Sequence, residues 1–315
     1  MTERLQRRPW PVTPLRSDYN VSLEFFPANT DKGAGNLLRT VGRLEPICPT
    51  FVSVTYGAGG TTQDRTLKTI RGITDTTDLD VAGHLTCVGA SKQEVHEVMD
   101  TYAATGVRRI VALRGDPPEG ENDGTRPDGY RTAAELVAGI RDRPDGSTWD
   151  ISVAAYPDVH PKAESAASDL DNLRAKFDAG ADRALTQFFF DNEAFLTFHD
   201  NVRAAGIEQP IIPGIMPVTN FERMSGFAGR CGTKIPAWMP GLFEGLDDTP
   251  EVQPLIAATV SAEQIRHLAE HGIRDFHIYT MNRADLALAI CRIVGISTGD
   301  ADSAADVAVS PSFAV

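Results

Sequence analysis

Cysteine is scarce in this chain: four in 315 residues, Cys48, Cys87, Cys231 and Cys291, all far apart. No CxxC pair occurs, which excludes a zinc site or a disulfide frame and predicts free thiols in a reducing, cytoplasmic setting. Long apolar runs are missing as well. No stretch approaches the roughly 18 consecutive apolar residues of a transmembrane helix. The opening MTERLQRRPWPV carries positive charge with no apolar segment behind it, so no signal peptide is expected. Basic residues are in deficit, 30 Lys and Arg against 43 Asp and Glu, a net formal charge of −13. With no long basic run, that balance argues against nucleic acid or an anionic membrane as a partner. No GxGxxG follows a candidate strand and no GxxxxGK precedes Ser or Thr, so neither a Rossmann nor a P-loop phosphate site is supported.

What the chain has is one pattern repeated: a short β-branched or aromatic run, a turn, then helical spacing. The strand candidates are VSLEFF (21–26), FVSVTY (51–56), DVAGHLTC (80–87), RIVALRG (109–115), DISVAAYP (150–157), ALTQFFF (184–190), IIPGIMPV (211–218) and DFHIYT (275–280). Between them, Leu37, Val41 and Leu44 share a helix face. Ser91 and Glu94 form a capping box ahead of Val95, Val98 and Tyr102, with Gly106 as the stop. Leu170, Leu173 and Phe177 end at Gly180, and Leu286, Ile290 and Ile293 end at Gly295. Eight strand–helix repeats predict an α/β chain folded as one (β/α)8 TIM barrel over residues 19–296. An irregular arm (1–18) precedes it, and a small, polar tail (297–315), expected to be disordered, follows. A doubly wound open sheet is the alternative. The long segment with IPAWMPGLFEGLDD, before the last strand, is an elaboration of the barrel.

A barrel of this kind works at the carboxyl ends of its strands. The polar residues there are Glu24, Thr55, the loop Tyr56-Gly57-Ala58-Gly59-Gly60, His84, Thr86, Arg114-Gly115-Asp116, Tyr156, His160, Gln187, Tyr279, Asn282 and Arg283. Each has two readings. Glu24, in an apolar strand, either meets a buried arginine or has a raised pKa suited to a general acid. Arg114 and Asp116 are either site residues or a surface pair, and His84 is either a ligand-binding or a core histidine. Asp169, Asn172 and Lys176 share a helix face that is either solvated or holds ribose hydroxyls and phosphate. No spacing implies a metal.

The motifs LEFFP, FVSVTYGAGG, HLTC, VALRGD, ISVAAYPDVHP, LTQFFFD, IIPGIMPV, IPAWM and FHIYTMNRA, in this order from about residue 20 to 296, resemble the bacterial methylenetetrahydrofolate reductases. The resemblance implies a flavin-dependent TIM-barrel oxidoreductase. Such an enzyme reduces 5,10-methylenetetrahydrofolate to 5-methyltetrahydrofolate with NAD(P)H, by ping-pong hydride transfer through FAD, and so feeds methionine synthesis. It implies Glu24 as the general acid toward the folate's bridging nitrogen, kept protonated by desolvation, and Asp116 as the carboxylate between flavin and folate. Thr55, Gln187, Phe227, Tyr279 and Arg283 would meet substrate or nicotinamide. Tyr56, Ala58, His84, Arg114, Gly115, Asp116, Tyr156, His160, Ala163, Asp169, Asn172 and Lys176 would hold FAD. A homo-oligomer is implied too.

Some positions depart from the pattern. EFFPA stands where EFFPP is familiar. Ala175 replaces a basic residue before Lys176, Arg223 stands for a glutamine, and the loop after Asp116 is long, which leaves a flavin role for Tyr130 open. A flavin-free reductase passing hydride directly from NADH, or a folate-binding protein without catalysis, are the competing readings.

Overall fold

Residues 17–56, 63–117, 124–246 and 249–297 are described by a computed structural model. Ala58, its glycine-rich loop, most of the amino-terminal arm and nearly all of the tail lie outside these residues.

Strands and helices alternate: β1 (Asn20–Phe25), α1 (Asp31–Leu44), β2 (Val52–Val54), α2 (Gln63–Thr76), β3 (Val81–Thr86), α3 (Lys92–Ala104), β4 (Arg109–Leu113), α4 (Ala133–Arg141) and β5 (Asp150–Ala155). Then come α5 (Ala166–Asp178), β6 (Arg183–Thr186), α6 (Asn192–Ala204), β7 (Ile211–Ile212), β8 (Gly214–Ile215), α7 (Phe221–Cys231), α8 (Gln253–Glu270), β9 (Asp275–Tyr279) and α9 (Ala284–Ile293). The strands pair in parallel in the order β7-β6-β5-β4-β3-β2-β1-β9-β8. This is the expected barrel, with its seventh strand in two halves. β7 pairs with β6 and β8 with β9, while Pro213 stands between them. Proline has no N–H for a ladder, so the run expected to be one strand over 211–218 breaks there. Pro213 still accepts a hydrogen bond from His277 N at 2.9 Å, which helps seal the barrel. Next to it, a Cβ on Gly214 would fall 2.3 Å from the Thr186 carbonyl oxygen, so only glycine allows β8 to approach β6 this closely.

Side chains alternate across each strand. Leu23 and Phe25 of β1 are fully buried against the helices, in one cluster with Leu37, Val41 and Leu44 of α1. Phe51, Ala82, Val111, Leu185 and Ile212 form a second, inner cluster. The expected capping box at Ser91 and Glu94 is present, and Thr30, Thr132, Ser165, Asp191 and Asn220 cap other helices. One expected stripe is corrected. Leu286 and Ile290 are buried but Ile293, in the last turn of α9, is exposed, and Val294 packs inward instead.

The amino ends of the strands carry charge. Arg109 bridges Asp80 and Asp150, and Asp150 is also held by Arg183, at 2.8 Å from Nη2 to Oδ2. Most strands prove shorter at their carboxyl ends than the sequence predicts. Thr55, Arg114, Tyr156 and Gln187 have already left the sheet, and their side chains surround the barrel mouth.

Candidate active site

Two cavities meet at this mouth. A pocket of about 360 Å³ is lined by Glu24, Thr55, His84, Gln187, Phe227 and Tyr279, with apolar walls from Phe26, Phe188, Met216 and Met281. A groove of about 510 Å³ is lined by Arg114, Gly115, Asp116, His160, Ala163, Asp169, Asn172 and Lys176. Leu113, Ala154 and Tyr156 border both, so they form one continuous cleft.

Strand register builds the centre of the pocket. Ser22 and Glu24 point the same way from β1, and Ser22 lies opposite His277, Glu24 opposite Tyr279 on β9. His277 Nε2 sits 3.3 Å from Glu24 Oε2, and its Nδ1 is 2.7 Å from Ser22 Oγ. Ser53 on β2 donates to the same carboxylate oxygen at 3.4 Å. His84 Nε2 lies 3.2 Å away, but off the line of a hydrogen bond, so its contribution is charge. Thr280 fixes the backbone, its Oγ1 donating to the Glu24 carbonyl at 2.6 Å. Among the described residues no arginine meets Glu24, and its pKa is not raised. Burial alone would push the carboxyl up, but the charge of His84 and the hydrogen bond from His277 outweigh it and pull the pKa down to about 2.

The apolar side of the pocket is aromatic. Phe188 and Phe227 stack at 5.4 Å with planes 19° apart, and Tyr279 meets Phe188 edge-on while donating to Thr186 O at 2.7 Å. The Asn282 side-chain amide clamps Phe26 by donating to its carbonyl at 2.8 Å and accepting from its N–H at 3.1 Å.

The groove rests on a strained loop. Val159 is β-branched yet adopts φ +67°, a conformation costing on the order of 1–3 kcal/mol. Its N–H bonds Tyr156 O, while His160 N donates to Asp169 Oδ2 at 2.9 Å. Lys162 N donates to His160 Nδ1 at 3.0 Å. That leaves the proton of a neutral imidazole on Nε2, and burial lowers the His160 pKa. Lys176 Nζ donates to Ala154 O at 2.8 Å, and burial pulls its pKa down to about 8. Gly115 has φ +84°, and a Cβ there would sit 2.8 Å from Val88. Asp116 is exposed and lies 3.6 Å from Lys162.

Two expected residues line neither cavity. Tyr56 borders a separate recess with Thr86 and Glu94. Arg283 precedes α9 and turns toward Asp285, at 3.4 Å.

The model of the family described as "Methylenetetrahydrofolate reductase" matches residues 13–295. The 5,10-methylenetetrahydrofolate reductase of Escherichia coli is 46% identical over 285 residues, covering 90% of this chain and 94% of that one. The chain belongs to the methylenetetrahydrofolate reductase family. It is accordingly an oxidoreductase whose substrate is a folate. Methylenetetrahydrofolate reductase (NADH) 1 of Arabidopsis thaliana is 36% identical over 285 residues, 87% of this chain but 48% of that longer one. Among solved structures, an uncharacterized protein from Clostridium thermocellum that binds two copies of 5-methyl-5,6,7,8-tetrahydrofolic acid shares the fold. Its TM-score is 0.61 at 14% identity, covering 88% of this chain and 96% of that one.

In this reductase the site also includes residues that no motif marks, Ser22, Ser53 and His277 around the carboxylate and Arg131 in the groove. A signal for the first three was present. They occupy inward positions of strands whose neighbours two residues along, Glu24, Thr55 and Tyr279, had been singled out.

Proposed function

We propose that the chain reduces 5,10-methylenetetrahydrofolate to 5-methyltetrahydrofolate with NAD(P)H, using FAD held along the groove. The observation that carries this reading is a largely buried carboxylate with two histidine partners in an apolar pocket that opens into a polar, cationic groove. The groove's donor set fits a dinucleotide flavin. Asp169 and Asn172 suit hydroxyls, the basic groups suit phosphates, and the adjoining pocket suits a flat ring. Bound FAD would accept hydride from the nicotinamide and deliver it to the folate.

The chain's own residues do the rest. Phe188 and Phe227 offer flat apolar faces to a nicotinamide or a pterin. Both rings would reach the site through this one pocket, which supports a ping-pong order. Glu24 works as the acid, with His277 as the partner that tunes it. In the open pocket the carboxyl is ionised, as its low pKa requires. A seated folate removes the remaining water, and so low a dielectric favours the neutral carboxylic acid at Glu24. Glu24 then protonates the folate's bridging nitrogen. Asp116 stabilises positive charge that develops on the folate carbon during ring opening. The enzyme is a cytoplasmic homo-oligomer serving methionine synthesis, as the family resemblance implies.

Anaerobic half-reactions test this reading. The purified chain should show flavin absorption that NADH bleaches and methylenetetrahydrofolate restores. Turnover by colourless protein, or bleaching that the folate never reverses, would overturn it.

A further inference from the structure

The groove runs between the amino end of α4 and α5, two helices packed against each other. Its cations are unequal. Lys176 is tied to Ala154 O at 2.8 Å. Lys162 is occupied by Asp116. Arg114 Nε donates to Arg131 O at 3.3 Å. Arg131 itself is exposed; Glu135 Oε2 takes its backbone N–H at 2.8 Å, while its guanidinium meets no carboxylate among the described residues. It directly precedes Thr132, the N-cap of α4, and the first two residues of that helix, Ala133 and Ala134, line the groove too. Their N–H groups have no partner within the helix and sit at its positive end. On the α5 side, Ala175 lines the groove without charge.

We propose that Arg131, backed by the first turn of α4, is the main phosphate-binding cation of this groove and replaces the charge that Ala175 lacks. The inference rests on the reading of the groove as the FAD site. A guanidinium is permanently charged and pairs two-pronged with phosphate oxygens, whereas a lysine contributes a point charge. The clamp therefore acts on the pyrophosphate and has no part in holding the isoalloxazine ring.

Titration of the full flavin-free chain with FAD and with riboflavin, which has no phosphate, tests the assignment. Arg131→Ala should weaken FAD about ten- to a hundred-fold and flatten the salt dependence of its binding. Riboflavin should stay within about two-fold. Adding Ala175→Arg to that variant should restore most of the FAD affinity. An unchanged FAD affinity, or an equal loss for FAD and riboflavin, would overturn the role of Arg131. A wild-type chain that takes up neither flavin would instead overturn the cofactor reading on which it rests.

Discussion

Glu24 and His277 face each other from adjacent parallel strands, carboxylate oxygen to ring nitrogen 3.3 Å apart, although 253 positions separate them in the chain. The contact follows from register, since β1 and β9 pair in phase across the closing seam of the barrel. It joins a largely buried carboxylate to a ring nitrogen at the floor of the pocket.

Replacing Glu24 with glutamine keeps the shape and removes the proton. Reduction of the bound flavin by NADH should persist within a few-fold, while the folate half-reaction should fall about 10²–10⁴-fold. Stopped-flow absorbance resolves the two steps, and equal loss in both would contradict the assigned role.

His277→Asn removes one of the two partners that hold the carboxyl pKa down. Burial then weighs more heavily and the pKa rises. The pH at which the folate half-reaction loses its acid form should move upward, and the NADH half-reaction should keep its profile. The pH dependence of each half-reaction checks this.

Lys176 gives a pH signature of its own. Its pKa in the folded chain, about 8, lies below the ordinary 10.5. Between those values the unfolded chain holds more protons, so this residue adds stability as pH rises through the window. A phosphate in the groove favours the charged ammonium and reverses the shift. FAD binding at pH 9 should therefore take up close to one proton, an uptake absent from Lys176→Met. Calorimetry in buffers of different ionisation enthalpy measures it.

The stacked phenylalanines separate binding from stability. Phe227 is 41% exposed and Phe188 only 2%. Phe227→Ala should raise KM for folate and NADH about three- to thirty-fold with little change in Tm, through lost apolar contact. Phe188→Ala should cost about 3–5 kcal/mol of stability, read from denaturant unfolding.

Gly83 lies under the site without touching it. A Cβ there would fall 2.5 Å from the Tyr102 ring, whose hydroxyl donates to His84 O at 2.8 Å. Gly83→Ala should cost about 1–3 kcal/mol and displace His84. A lower unfolding midpoint, together with a slower folate half-reaction, is the expected pair of readings.

Much of this was legible in the sequence. Alternation in VSLEFF and FHIYT gave the strands, and a carboxylate among aromatics marked Glu24. The partners of Glu24 were not legible, because pairing β1 with β9 is a property of barrel closure that no local pattern encodes. The effect of His277 on its pKa was hidden for the same reason, and that of His84 because β3 reaches Glu24 only across the barrel mouth, so burial alone suggested the opposite shift. The break at Pro213 did have a signal, since proline rarely sits within a central strand. The orientation of Arg283 toward Asp285 depends on a rotamer choice at the start of α9, beyond the reach of residue spacing.

The chain of charges from Asp80 through Arg109 and Asp150 to Arg183 closes the end of the barrel opposite the cleft. Heat tolerance and turnover thereby come under separate control. Substitutions along that chain can adapt the enzyme to a warmer or colder setting while the pocket stays as it is, and changes at exposed mouth positions such as Phe227 can retune substrate preference without loosening the scaffold. An engineer would alter the two ends independently and expect the effects to add.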